Sequence, residues 1–230
     1  MEPLQQIIGL LGGIPIFAGL SSHDLEILSQ SARRQNFKAD EIICQQGDPG
    51  HTLFVIVSGL VRIVLPSFEG QEAVLVLLQP GEFFGELSLI DGEPRSASAI
   101  SMGVTEVIVL YRDDFLSYLM EHPRAAITVM TVLCARLRRT DDLVADAVFL
   151  DTRTRLAKKL LELSETFGEP ADGGVQIALR LRQQDLANMV GANRESVNRY
   201  LSAMENQGLI RMERQRITLL KPLELRRRSF

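Results

Sequence analysis

Between Glu41 and Leu110 the chain is written as short β-rich runs, EIICQQ, TLFVIVS, LVRIVLP, AVLVLLQ, SASAIS and TEVIVLY, which Gly47, Gly59, Gly70, Gly81 and Gly92 cut apart. Branched and aliphatic side chains favour extended backbone, and glycine marks the turns between them. Several strands cut at near-even spacing predict a closed β sandwich or roll. Ahead of them stands a short amphipathic segment, with Ser21 or Ser22 as N-cap and Leu25, Ile27 and Leu28 turned toward a core.

After Leu110 the period changes. Asp113 to His122 reads as a short helix, and Pro123 suits the first turn of a much longer one. From Pro123 to Phe149 no glycine or further proline intervenes, and at 1.5 Å per residue this is a rod of about 40 Å. Met130, Leu133, Leu137, Val144, Ala147 and Val148 follow a three-four repeat that predicts a coiled-coil seam and a parallel homodimer. Thr140 and Asp141 put a polar pair into that seam. A helix then restarts after Phe149, capped by Asp151 or Thr152 and burying Leu156, Leu160, Leu161 and Leu163. A glycine-rich loop, GEPADGG, begins at Gly168.

The next stretch has the form of a helix-turn-helix: Gln183 to Met189, a turn holding Gly191, then Arg194 to Asn206. At about 100° per residue, Arg194, Glu195, Asn198 and Arg199 share one arc of the second helix, and Val197, Tyr200, Leu201 and Met204 share the other. One arc suits a core and the other a DNA groove. Two short β-like runs around Glu213 to Gln215 predict a wing, with Arg211, Arg214 and Arg216 placed for phosphates. Arg226, Arg227 and Arg228 read as a solvated tail.

The net charge of −4 hides an asymmetry: residues 1–121 carry −10, residues 122–149 carry +1 and residues 150–230 carry +5. Only the last third is suited to a polyanion. Cys44 and Cys134 lie far apart without CxxC spacing and read as small buried hydrophobes, and His23, His51 and His122 are scattered, so no metal site is signalled. No coupled nucleophile and base stands out, which argues against an enzyme. Neither a membrane-spanning run nor a basic secretory start is present, which predicts a cytoplasmic protein without membrane contact.

One segment concentrates charge where little else is charged: FGELSLIDGEPRSASA, Phe84 to Ala99. Gly85 lets a ligand approach the backbone, and Glu86 can accept from a vicinal diol. Arg95 offers a planar donor fork for a phosphate, with the Ser96 hydroxyl and N–H beside it. A carboxylate for ribose and a guanidinium for phosphate describe a nucleotide. The plainer alternative is a loop salt bridge between Glu86 and Arg95.

This segment resembles the phosphate-binding cassette of the cyclic-nucleotide-binding domain, with GE, PR and SA in place, and the resemblance runs over nearly the whole chain to the CRP-FNR family of bacterial transcription regulators. It implies an α+β chain: a cyclic-nucleotide-binding β-roll over residues 1–122 whose one helical interruption is the cassette, a dimerisation helix over 123–149, and a winged helix-turn-helix over 150–230. It implies that Glu86 holds ribose and that Arg95 and Ser96 hold the cyclic phosphate, with Gly85 and Leu87 completing the site. Thr140 matches the family position that touches the adenine amino group. Asp141 departs from the family's serine at the position that reaches the nucleotide of the other subunit. Cyclic AMP is therefore the favoured effector, and cyclic GMP stays open because a carboxylate can take paired bonds from guanine. Arg194, Glu195 and Arg199, with Ser196 and Asn198 between them, match the family's reader of a TGTGA-type half-site in double-stranded DNA, and Arg214 is expected on a phosphate. GEPADGG falls where the family contacts RNA polymerase. The alternative within the family is a regulator that senses another effector or is constitutively active.

Overall fold

The computed structural model describes residues 2–17, 20–67 and 70–227. They divide into two compact units: Gln71–Ala73 with Thr140–Phe230 form one, and the rest of the chain to Arg139 forms the other.

The front unit opens with α1 (Glu2–Gly12), which the sequence reading did not anticipate, and α2 (Ser22–Ser31). Ser21 caps α2 reciprocally with Asp24, each bonding the other's backbone N–H at 3.2 Å. Leu25 and Leu28 turn inward as expected, whereas Ile27 is exposed, about 100° round the helix from Leu28 and about 160° from Leu25.

The strands β1 (Arg33–Phe37), β2 (Ile42–Cys44), β3 (Thr52–Ser58), β4 (Val61–Pro66), β5 (Glu72–Leu78), β6 (Phe83–Phe84), β7 (Ser98–Ser101) and β8 (Thr105–Tyr111) form two four-stranded sheets. Their orders are β1-β8-β3-β6 and β2-β7-β4-β5, and all the pairings described are antiparallel. The apolar runs of β3 and β8 follow from their place. Leu53, Val55, Ile108 and Leu110 pack with α1, α2 and the helices that follow, while Phe54, Ile56, Val107 and Val109 pack with Val61 and Leu78 of the other sheet. A strand covered on both faces reads as continuous hydrophobicity rather than alternation. α3 (Glu86–Asp91) interrupts the strands between β6 and β7.

Beyond β8 come α4 (Arg112–Glu121) and α5 (Pro123–Phe149). Ala125 and Val129 of α5 are buried, and Val132 and Leu133 pack against the same cluster. Leu133 thus belongs to the core of the front unit and not to an outward seam. The outward stripe is Ile127, Met130, Cys134, Leu137, Asp141, Val144 and Val148, all exposed and spaced alternately by three and four. Two corrections follow. Cys134 is exposed rather than buried, and of the polar pair only Asp141 falls on this exposed stripe, Thr140 standing one residue, about 100°, away. Cys44 is partly buried, and that burial pushes its thiol upward.

In the second unit, α6 (Thr152–Phe167) starts at Asp151, whose carboxylate accepts from Thr154 N–H at 2.7 Å and is held below its ordinary value by that bond. The glycine-rich segment is not a loop. It is a hairpin of β9 (Gly168–Ala171) and β10 (Gly174–Ile177) that joins a sheet of order β11-β12-β10-β9 with the wing strands β11 (Ile210–Glu213) and β12 (Arg216–Leu219). α7 (Gln183–Val190) and α8 (Arg194–Asn206) form the helix-turn-helix, and α9 (Pro222–Arg227) ends the description, leaving Arg228 outside it. Arg226 is in this helix and pairs with Glu165.

The wing turns through Arg214 and Gln215, both with positive φ (46° and 68°), between the paired Glu213 and Arg216. Two-residue turns of this hand favour asparagine and glycine, and left-handed backbone strains other side chains. Gln215→Gly is therefore expected to stabilise the protein by about 0.5–1 kcal/mol, read as a higher midpoint in chemical denaturation. A lower midpoint would contradict it.

Candidate functional site

The cassette leaves β6 through Gly85, whose φ of +86° initiates α3. A Cβ at this position would lie 2.5 Å from Arg95 Nη1 and 3.0 Å from Thr52 O, so only glycine lets the guanidinium approach so closely. Arg95 Nη1 donates to Gly85 O at 2.9 Å, and Nη2 donates to Thr52 O at 2.7 Å and Thr52 Oγ1 at 2.9 Å. The guanidinium carbon stands 5.4 Å from the Phe54 ring centre, and Phe54 stacks on Phe84 at 4.9 Å. The arginine's backbone is held too: its N–H donates to Asp48 O, and its carbonyl accepts from Gly47 N–H, both at 2.9 Å. Gly50 closes the other side, where a Cβ would fall 2.3 Å from Ser88 Cβ and 3.2 Å from Arg95 Cζ.

Glu86 is 2% exposed and Arg95 is 5% exposed. They do not neutralise each other. Glu86 Oε1 accepts from Arg136 Nη1 at 2.7 Å, and Arg136 Nη2 also donates to Phe83 O. Arg136, on α5, is the partner of the cassette that the sequence reading missed. It follows Val129, Val132 and Leu133 by seven, four and three residues, which puts a cation on the core-facing stripe of its helix, and such a residue needs a partner there.

Two polar atoms of the cassette are buried without a hydrogen-bond partner: Glu86 Oε2 and Arg95 Nε. One can accept and the other can donate. Leaving either unmet in a protein interior is costly, and a ribose hydroxyl with a phosphate oxygen would satisfy both. The chemistry of the donor set thus fits a cyclic nucleotide. Ser96 is exposed immediately after Arg95, and Leu87 presents an exposed apolar side chain from α3. Thr140 and Asp141 are both exposed on α5.

The helix-turn-helix is built by local signals. Arg182 N–H donates to Asp185 Oδ2 at 2.7 Å at the start of α7, and Asn193 Oδ1 accepts from Ser196 N–H at 2.8 Å at the start of α8. Val197, Leu201 and Met204 are buried, while Arg194, Glu195, Asn198 and Arg199 are exposed, which is the division the helical angles required. Ser196 is half-buried near the cap, and Arg199 lies over the Tyr200 ring at 5.1 Å. On the wing, Arg214 and Arg216 are exposed; Arg211 is held back by Glu213 and by Asp172 O. A cleft of about 510 Å³ lies between the helix-turn-helix and the wing, with Arg182, Arg194, Arg214 and Arg216 on its walls.

Residues 34–122 match the family model of the cyclic nucleotide-binding domain, and residues 154–228 match that of the Crp-like helix-turn-helix domain. The chain is 32% identical over 220 residues to the CRP-like cAMP-activated global transcriptional regulator of Mycobacterium tuberculosis, covering 96% of this chain and 98% of that one. The chain belongs to the CRP-FNR family of transcription regulators. A second family member, the cyclic AMP receptor protein of Thermus thermophilus, is 34% identical over 87% of this chain and 89% of its own. Among solved CRP-FNR structures, the c-di-GMP responsive global regulator CLP of Xanthomonas campestris superposes with a TM-score of 0.75 at 27% identity, covering 86% of this chain and 99% of that one. A CRP-family regulator of Thermus thermophilus gives 0.73 at 27% identity, over 85% and 96%. A cyclic nucleotide-binding domain ahead of a Crp-like helix-turn-helix is the build of a nucleotide-responsive, DNA-binding regulator, not of an enzyme.

Proposed function

We propose that this chain is a cytoplasmic homodimer that binds cyclic AMP in its front unit and thereby gains affinity for a palindromic operator. The pair of unmet buried atoms, Arg95 Nε and Glu86 Oε2, carries the reading, because a phosphate oxygen and a ribose hydroxyl complement them. Gly85 and Leu87 shape the pocket and Ser96 adds a donor to the phosphate. The exposed three-four stripe of α5 joins the two protomers, and Thr140 with Asp141 reads the base. Arg194, Glu195, Ser196, Asn198 and Arg199 face the major groove: arginine donates twice to guanine, and glutamate accepts from cytosine. Arg214 at the wing tip takes a phosphate. RNA polymerase is the further partner, met by the β9–β10 hairpin.

The adenine reading rests on the Thr140 hydroxyl and on the two relatives named for cyclic AMP. A carboxylate at Asp141 also suits guanine, and the Xanthomonas relative is named for cyclic di-GMP. Calorimetric titration with cyclic AMP, cyclic GMP and cyclic di-GMP, with and without operator DNA, separates them. Cyclic AMP is expected to bind most tightly and to raise DNA affinity within the usual 5- to 150-fold of allosteric coupling. Thr140→Ala should reduce that coupling by about 1 kcal/mol, measured as the ratio of DNA affinities with and without ligand. Full response in the variant would reduce Thr140 to a residue that sets helix register. No response to any of the three nucleotides would sink the effector assignment and leave the DNA module standing.

A further inference from the structure

Among the exposed residues of α8, Asn198 differs in kind from Arg194 and Arg199. Its amide has a donor end and an acceptor end, so what it can read depends on which end faces the groove. In the structure one end is already engaged. Gln183 Nε2 donates to Asn198 Oδ1 at 2.7 Å. Gln183 is the first residue of α7, and both helix starts are fixed, one by Asp185 on the Arg182 N–H and the other by Asn193 on the Ser196 N–H. The bond therefore spans two anchored elements. With Oδ1 held toward α7, the remaining end is Nδ2, a donor with no acceptor function.

We infer that Gln183 is a positioning residue that sets the polarity of Asn198, making it a donor to a base edge and so an element of operator specificity. This rests on the reading of α8 as the DNA-reading helix. In the major groove a donor is met by guanine O6 and N7, by adenine N7 and by thymine O4, whereas cytosine offers only its N4 amino donor. Asn198 held in this way excludes cytosine on the strand it faces. Were its amide reversed, Oδ1 would face outward and accept from adenine N6 or cytosine N4, and guanine and thymine would be excluded instead. The selectivity thus lies in a residue on the neighbouring helix.

The test is selection from a randomised half-site library by the full-length protein at saturating cyclic AMP and fixed salt, using the parent, Gln183→Glu, Asn198→Ala and the double variant. A glutamate at 183 can only accept, so it draws Nδ2 toward α7 and turns Oδ1 outward. At one position per half-site, the parent should disfavour cytosine. Gln183→Glu should disfavour guanine and thymine there, shifting the base ratio by about three- to tenfold, the worth of one hydrogen bond. Asn198→Ala should flatten that position alone, and the double variant should match Asn198→Ala. The added charge in Gln183→Glu weakens binding to all sequences alike, which leaves the base ratio to report polarity. If the parent selects a palindrome but Gln183→Glu keeps its preference at every position, the Gln183 bond merely joins two helices and the inference fails alone. If Asn198→Ala changes no position, it fails likewise. If the parent selects no sequence with cyclic AMP, with cyclic GMP, with cyclic di-GMP or without ligand, the DNA reading falls and takes this inference with it.

Discussion

Arg95→Gln is expected to weaken cyclic AMP binding by roughly 1.5–3 kcal/mol, the worth of a charge-assisted contact. That corresponds to about a tenfold to hundredfold loss of affinity. Two consequences of the geometry sharpen the expectation. The guanidinium also donates to Gly85 O and Thr52 O, so its removal leaves carbonyls of two different segments short of a donor, and stability should fall by about 1 kcal/mol. A glutamine amide can still serve one of them, which keeps the protein folded. Arg95→Lys should lie between parent and Arg95→Gln, since an ammonium keeps the charge but cannot reproduce the fork that meets Gly85, Thr52 and a phosphate together. Calorimetry on protein shown to be folded by circular dichroism reads all three. An Arg95→Gln protein that is folded and binds cyclic AMP as tightly as the parent would remove the cassette from the account.

The strands of the roll were legible because β3 and β8 are buried on both faces and therefore spelled almost entirely in branched and aliphatic residues. β1 was not legible. Its sequence, RRQNF, buries only Phe37 and lies at the edge of its sheet, so its pairing with β8 is a matter of backbone hydrogen bonds that leave no hydrophobic signature. β6 has two residues and is too short to show a period. On α5 the difficulty was different. Inward residues 129, 132, 133 and 136 and outward residues 127, 130, 134 and 137 interleave, and both sets have helical spacing, so one count of apolar positions merges two stripes. That merging assigned Leu133 to the seam and hid Arg136, which a search for arginine at three, four or seven residues from core positions would have found. The cassette motif was legible in its residue types, but not in their partners. That Arg95 is anchored by Thr52, and Glu86 by Arg136, depends on contacts 43 and 50 residues apart in the chain.

Arg136→Ala should expose how much the front unit depends on this second arginine. Glu86 is almost wholly buried, and removing one partner of a fully buried pair costs roughly 3–5 kcal/mol because the other charge is left without compensation. The side chain of Arg136 is 26% exposed, so solvent shares in the pair and the expected loss is nearer 2 kcal/mol. The carbonyl of Phe83 loses a donor in the same variant. If the cost arises from a stranded carboxylate, Glu86→Gln placed in the Arg136→Ala background should recover most of the lost stability, since a neutral amide needs no counter-charge there. It should not recover cyclic AMP affinity, because the ribose would then meet an amide with half the acceptor capacity of a carboxylate. Stability and affinity should therefore separate across the four proteins of this cycle, measured by denaturant unfolding and by calorimetry. An Arg136→Ala protein as stable as the parent would mean that water already compensates Glu86. If instead both quantities fall together and neither is rescued, Arg136 acts through the packing of its methylene stem against Phe83, over whose ring its guanidinium stands at 5.3 Å, and not through the charge of Glu86.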